Sequence, residues 1–376
     1  MFPARATRKR ARTASNAAAL DASHIWQGHN TQGAEEVKPA TEGARKRDLE
    51  FWHSDGNIIL VARDVEYRVY KGLLADHSSV FRDMFSLPQP ITNAPSSSAL
   101  EESTCPVVHL YDSPEDLRHV LRAYMPRGES NPFFMTAPSY SYSMISAAVR
   151  LGHKYQMSKL YDHAIGYLKK HYTNDYDAWA THPDYVPAGF GMQEHAIGVV
   201  NLARLTGETS LLPTALLACC ILNEDIVDGF VRADGTREQL VLADVKLCLA
   251  AKDRLVRESM KVAFRVFQPF VADTCKSKAF CTESFKRELA TLEGRLEDMA
   301  DPDPCEAPLG EKFGEGILCM ACRFMVHQRD NRERRAVWKK LPEIFGVEGH
   351  ASSRETLPRL ATSHTPSSTS PTPPKA

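Results

Sequence analysis

Residues 51–85, FWHSDGNIILVARDVEYRVYKGLLADHSSVFRDMF, decide the fold of this chain. An unbroken apolar run at 58–61 predicts a strand buried on both faces, and residues 65–69 alternate between apolar and polar as a second strand does. Beyond this second strand the apolar spacing becomes helical, and Asp76 or Ser78 can cap the second of two short helices. The stretch therefore predicts a β-hairpin that leads directly into helices.

Further elements follow along the chain. Residues 106–110 predict a third strand, and a helix opens after it with Ser113 as its N-cap and Asp116 as the carboxylate of a capping box. A helix pair is predicted at 140–153 and 158–171, where apolar residues recur at helical spacing. These elements complete a compact unit with a small sheet and a helical half.

Four motifs in this unit resemble the BTB/POZ domain, most closely the version of many fungal proteins. They are S-D-G at 54–56, Y-R-V at 67–69, Leu74, and S-V-F-R-D-M-F at 79–85 together with L-P-Q-P at 87–90. The resemblance implies an α+β fold in which helices cap a small three-stranded sheet. It also implies a protein that binds other proteins, often as a dimer.

The chain departs from the family at two positions. An acidic residue often follows the Gly, and a His often precedes the Lys, where this chain has Asn57 and Tyr70. In BTB transcription factors that acidic residue and the basic residue after the His form a partner-binding pocket, so Asn57 and Lys71 are the candidate partner-binding positions here. The alternative is that both are ordinary polar residues at strand ends.

Composition restricts the classes of function. Lys and Arg number 46 against 47 for Asp and Glu, which leaves a net charge of −1 and no overall attraction to nucleic acid or an anionic membrane. No apolar stretch is long enough to span a bilayer. The nine cysteines are odd in number and lack framework spacing, which predicts reduced thiols in an intracellular protein.

The sequence divides into four predicted segments. Residues 1–48 are expected to be a disordered basic tail, 49–172 the BTB/POZ domain, 173–349 an all-α C-terminal domain, and 350–376 a disordered Ser/Thr/Pro-rich tail. A basic cluster in the first tail resembles a nuclear localisation signal and favours the nucleus over the cytoplasm, the alternative being a solvated tail without a receptor. The cluster contains Arg8, Lys9, Arg10 and Arg12.

Enzymatic motifs are missing from the sequence, which predicts no catalytic residues and no cofactor. The sharpest chemical candidate is a Cys-x2-Cys pair, because two thiolates at that spacing can reach one zinc ion. The candidate ligands are Cys305, Cys319, Cys322 and His327, with Cys275 and Cys281 as spare thiols. The favoured alternative is a buried helix that packs small apolar thiols, so the sequence predicts no metal.

A second local signal is basic. Between 323 and 340 seven cationic residues face two acidic ones, a net charge of +5 that could meet nucleic-acid phosphates. Trp338 and Val337 lie among these charges and favour an amphipathic helix that docks its apolar side. A nuclear DNA-associated regulator, with or without zinc, is therefore the alternative function.

The leading hypothesis is a non-enzymatic protein-interaction protein. It predicts protein partners, with homodimerisation among the options, and an adaptor role in either transcriptional regulation or cullin-dependent ubiquitination. Neither a corepressor nor a cullin is singled out as the partner.

Overall fold

A four-stranded sheet forms the N-terminal part of the fold. The computed structural model describes residues 45–87, 105–125, 132–134, 139–181, 185–292, 294, 296–305 and 317–347. The strands are β1 (Lys46–Trp52), β2 (Ile58–Ala62), β3 (Val65–Val69) and β4 (Val107–Leu110), in the spatial order β1-β3-β2-β4. Strands β2 and β3 form the predicted antiparallel hairpin, while β4 runs parallel to β2 and β1 parallel to β3.

Strand β1 corrects two expectations, because only three strands were predicted and β1 begins inside the segment expected to be a disordered tail. Its sequence, KRDLEFW, is highly charged, yet Phe51 is fully buried and Asp48 is buried as well. The Arg118 guanidinium donates two hydrogen bonds to Asp48 Oδ2, at 2.9 and 2.8 Å. A buried aromatic ring and a paired carboxylate thus fix this charged strand to the sheet edge.

The N-terminal part also contains five helices, and all five were predicted. They are α1 (Lys71–His77), α2 (Ser79–Ser86), α3 (Pro114–Tyr124), α4 (Tyr142–Lys154) and α5 (Ser158–His171). Ser78 caps α2 by accepting a hydrogen bond from the Phe81 amide at 3.0 Å, and Ser113 caps α3 through the Asp116 amide at 3.4 Å. The predicted capping box is wrong, because the Asp116 carboxylate does not bond back to the start of α3. It accepts hydrogen bonds from the Arg232 guanidinium at 2.9 and 2.6 Å.

The C-terminal half is mainly helical. Its helices are α6 (Tyr176–Ala180), α7 (His195–Thr206), α8 (Leu212–Cys220), α9 (Asp225–Asp228), α10 (Leu242–Val266), α11 (Lys278–Thr291), α12 (Leu296–Met299), α13 (Met320–Trp338) and α14 (Leu341–Ile344). The expectation of an all-α domain is wrong in one place, where β5 (Phe230–Val231) pairs with β6 (Arg237–Glu238). Gly229 and Gly235 have positive φ angles of 65° and 77°, which allow the chain to enter and turn this hairpin.

The β5–β6 hairpin joins the two halves of the molecule. Arg232 binds Asp116 on α3, and buried Glu238 accepts hydrogen bonds from Arg150 at 2.5 Å and from the Tyr142 hydroxyl at 3.1 Å, both on α4. The buried apolar residues of both halves belong to one continuous cluster. The two predicted domains therefore share a core across their boundary.

No helix in the described ranges is both long and apolar enough to cross a membrane. The longest, α10, has 25 residues and carries charged side chains along its length.

Candidate functional site

The two predicted partner-binding residues meet where the hairpin enters helix α1. Asn57 Oδ1 accepts a hydrogen bond from the backbone N–H of Lys71 at 2.8 Å, and both residues are exposed. Lys71 is the first residue of α1, so this amide oxygen satisfies one of the N–H groups left free at a helix start. Asn57 thus stabilises the start of α1, and the Lys71 side chain is exposed at the surface.

Tyr70 brings a carboxylate to the same place. Its hydroxyl donates a 2.6 Å hydrogen bond to Asp55 Oδ1, and this bond is the main reason that the pKa of Asp55 lies below its usual range. The Tyr70 ring also lies 5.0 Å from the His53 ring, centroid to centroid. Sequence reasoning noted that Tyr70 stands where the BTB/POZ family often has His. It missed that the tyrosine hydroxyl can reach Asp55 of the S-D-G motif. Asp55 and Lys71 are the ionisable groups that this junction offers a partner.

Strand β1 presents a leucine at the edge of the sheet. Asp48 Oδ1 accepts hydrogen bonds from the backbone N–H groups of Glu50 and Phe51, at 2.9 and 2.8 Å, and the register with β3 is irregular at this point. Leu49, at the centre of the irregularity, is 97% exposed. The chain is fixed on both sides of it, because Arg122 also binds Glu50 at 2.5 Å. Leu49 is therefore an exposed apolar side chain on a backbone whose neighbouring residues are fixed by hydrogen bonds and ion pairs.

Four cysteine thiols converge at the C-terminal end of the molecule. Cys275 lies between α10 and α11, Cys281 in the first turn of α11, Cys319 at the N-cap of α13, and Cys322 in its first turn. All four sulfur atoms lie within 4.8 Å of one another, and the Cys275 and Cys319 sulfurs are 3.6 Å apart. We call these four residues the thiol cluster. In the described part of the chain it is the one group of three or more metal-ligating side chains.

Backbone N–H groups surround the thiol cluster. The amide of Ala272 donates to Cys322 Sγ and the amide of Cys319 to Cys281 Sγ, each at 3.5 Å. The amide of Cys322 contributes most to lowering the pKa of Cys319 to about 7, and the other three thiols lower it further. Burial raises the pKa of Cys322 to about 12 and also raises that of Cys281. One thiol of the cluster is thus set to lose its proton first.

The structure brings together a different set of residues from the candidate ligands of the sequence. It retains Cys319 and Cys322 but joins them to the two spare thiols instead of Cys305 and His327. Cys305 is buried elsewhere, with its amide bonded to Asp303 Oδ1 at 2.8 Å, and burial raises its pKa. His327 is exposed on α13. Sequence reasoning missed that Cys281 lies in the first turn of α11, just as Cys322 lies in the first turn of α13.

Most of the basic side chains near α13 are engaged within the protein. Arg334 is buried and binds Asp330 at 2.8 Å, Arg329 donates to the carbonyls of Val266 and Gln268 at 3.0 Å each, and Arg335 binds Asp177. Other pairs are Arg332 with Glu333 and Lys340 with Glu258, while Arg323 and Lys339 are exposed. The nucleic-acid hypothesis depended on a cationic segment whose net charge of +5 already counts Asp330 and Glu333. Asp177 and Glu258 offset two more charges, which leaves a net charge of +3.

Comparison with known proteins adds no relative, as no family model, curated protein or solved structure matches the chain. The predicted localisation cluster at Arg8, Lys9, Arg10 and Arg12 and the predicted C-terminal tail lie outside the described residues.

Proposed function

We propose that this chain is a non-enzymatic protein-interaction protein built on a BTB-type unit, which associates with a second copy of itself. The observation that carries the proposal is the order of the N-terminal elements. Hairpin β2–β3, helices α1 and α2, strand β4 beside β2, helix α3 and the pair α4–α5 follow one another as the BTB/POZ resemblance implies.

The sheet edge supports self-association. An edge strand that carries an exposed apolar side chain is a feature that proteins usually cover or blunt. The bulge at Asp48 uses two N–H groups of β1, which limits simple strand addition, but it also points Leu49 outward on a fixed backbone. Burying such a side chain against its copy costs little conformational entropy of the backbone, because the chain is already held.

The junction of Asp55, Tyr70 and Lys71 supports partner binding. It contains Lys71, which the BTB/POZ resemblance relates to the charged pocket of BTB transcription factors, and it offers one carboxylate and one ammonium group at the surface. The geometry differs from that pocket, because Asn57 bonds the helix backbone and Asp55 supplies the negative charge. A partner of this chain would therefore meet a different arrangement of charges. The proposed role is that of an adaptor for a corepressor or a cullin.

Affinity purification of the full chain tests partner binding. The wild type is compared with Lys71→Glu, which reverses one exposed charge of the junction, and with Lys339→Glu, the same change at an exposed residue of the C-terminal half. We expect a corepressor or cullin subunit to be lost with Lys71→Glu and retained with Lys339→Glu. Equal recovery from all three proteins would contradict a role for the junction, and recovery of neither class would contradict the adaptor role.

A further inference from the structure

The thiol cluster differs from the other cysteines of the chain. Cys219, Cys220 and Cys248 are packed in the apolar core, where burial raises the pKa of Cys219 and the Cys220 thiol donates to the Cys248 carbonyl at 3.5 Å. Such thiols act as small apolar side chains. The Cys220 and Cys248 thiols also interact, but in the described residues only the thiol cluster gathers three or more metal-ligating atoms, with four sulfurs within 4.8 Å of one another. Packing alone does not bring four thiols to one point from three chain segments.

The distances match a single tetrahedral ion. Zinc–thiolate bonds of about 2.3 Å in a tetrahedron place neighbouring sulfurs about 3.8 Å apart. The Cys275 and Cys319 sulfurs are separated by 3.6 Å, and no pair in the cluster exceeds 4.8 Å. A disulfide would require about 2.0 Å between the sulfurs, and all nine cysteines of the chain are free. The spacing is therefore that of ligands around one metal ion.

The surroundings of the thiols suit anionic ligands. Helices α11 and α13, of 14 and 19 residues, both begin at the thiol cluster, so their positive ends face the sulfurs. Neither helix has an acidic residue in its first turn to occupy that position. The N–H groups of Ala272 and Cys319 already donate to two of the sulfurs, as outer hydrogen bonds do in metal–thiolate sites.

Arg329 positions the segment that leads to Cys275. Its guanidinium donates to the carbonyls of Val266, Gln268 and Phe270, which holds the chain leaving α10 against α13. The Ala272 amide and Cys275 lie on this segment, so one arginine fixes both a donor and a ligand. The site is thus supported by contacts outside the four cysteines.

Helix α11 buries few of its side chains. Of its 14 residues only Cys281, Ser284 and Phe285 are buried, whereas α4 buries eight of its 13. A bound ion would join α11 to α13 across 38 residues of sequence. Four protein ligands leave no open coordination position, which is the arrangement of a structural and not a catalytic zinc site.

We propose that Cys275, Cys281, Cys319 and Cys322 bind one zinc ion that fastens α11 to α13. The inference is independent of the proposed interaction function.

Metal analysis of the purified full chain, with zinc and iron measured in the same sample, is the direct test. We expect about one zinc per chain by the four-ligand stoichiometry, and release of that zinc on titration with a mercurial. Zinc below about a tenth of an equivalent, a full equivalent of iron, or two disulfides found by alkylation without reduction would each overturn the proposal.

Variants identify the ligands. Cys275→Ser is expected to lose the zinc, while His327→Gln and Cys305→Ser, which change the candidate ligands suggested by sequence spacing, are expected to keep it. Because Cys275→Ser could unfold α11, cobalt substitution of the wild type gives a second readout, with the intense visible bands of a tetrahedral cobalt–thiolate centre expected. Full zinc in Cys275→Ser, loss of zinc in His327→Gln, or the pale spectrum of octahedral cobalt would overturn the ligand assignment.

Discussion

The β1–β4 region and the region of the thiol cluster are held together in different ways. In the first, strands and helices pack around many buried apolar side chains, and α4 alone buries eight residues. In the second, Cys281 and Cys319 are 38 residues apart in sequence and meet in the thiol cluster, and α11 buries three residues. A region with many apolar contacts can lose one contact without unfolding. If the thiol cluster binds zinc as proposed, loss of the ion removes the main link between α11 and α13 at once.

Removing the proposed zinc should give the largest loss of stability, and that loss should be confined to the region of the thiol cluster. With Cys275→Ser, we expect hydrogen exchange to become fast in α11 and the start of α13, because structural zinc contributes on the order of 10 kcal/mol in small zinc domains. Exchange in β2 and β3 should stay slow. Hydrogen exchange with mass spectrometry on the full chain measures both, and His327→Gln serves as the control. Unchanged protection of α11 would mean that the two regions are held in the same way.

Breaking the ion pair between Arg232 and Asp116, which links the two halves of the molecule, should give the next largest effect. Arg232→Met leaves Asp116 without its ion-pair partner, and burial already raises the pKa of that carboxyl despite Arg232. Breaking a buried pair from one side typically costs about 3–5 kcal/mol, so we expect that loss in the free energy of unfolding. Arg257→Met, in an exposed pair with Asp253, should cost less than about 0.5 kcal/mol. Denaturant unfolding compares them, and equal costs would contradict a shared, buried junction.

The elements that sequence predicted are those whose signals are local. The β2–β3 hairpin, Ser78 and Ser113 follow from residues a few positions apart, since strand alternation and capping act over short distances. Strand β1 was missed because Asp48 makes a bulge that interrupts its alternation, and because its charges find partners on α3, far away in sequence.

The thiol cluster was only half predictable for a related reason. Cys319 and Cys322 lie one helical turn apart and form a motif, but Cys275 and Cys281 are separated by five residues, and only Cys281 lies within a helix. Their approach to the first pair depends on how α11 packs beside α13, which no local pattern records. Asp116 was misassigned in the same way, because its partner Arg232 is 116 residues away.

Acidification should destabilise the N-terminal region moderately. Burial, with help from Arg122 and Arg118, lowers the pKa of His119 from 6.5 to about 4. The folded state therefore favours the neutral ring. The contribution of His119 to the free energy of unfolding is complete above pH 6.5. It is lost as the pH falls toward 4, because the unfolded chain binds the proton at a higher pH than the folded chain does. The loss is at most about 3 kcal/mol and smaller for a partly exposed ring.

Thermal unfolding measured across this pH range, for the wild type and His119→Gln, checks the prediction. The variant should lose less stability than the wild type on acidification. Parallel curves for the two proteins would show that the His119 ring does not contribute.

The smallest effect is expected at the junction of hairpin and helix. Asn57→Ala removes the acceptor for the Lys71 amide and should cost about 1 kcal/mol, the usual value of such a capping contact. Asn57→Asp keeps an acceptor oxygen for the Lys71 amide, so its stability should equal that of the wild type. Denaturant midpoints distinguish the two variants, and equal losses from both would show that the bond from Asn57 does not stabilise α1.

The N-terminal unit is proposed to associate with a second copy of itself at the edge of its sheet. Light scattering of the full chain at tens of micromolar should give twice the chain mass of 42.0 kDa. Leu49→Asp should give the monomer mass, and Leu242→Asp, the same change at a leucine that is 67% exposed at the start of α10, should remain a dimer. A wild-type chain that is monomeric at this concentration, or a Leu49→Asp variant that is as dimeric as the wild type, would contradict the account.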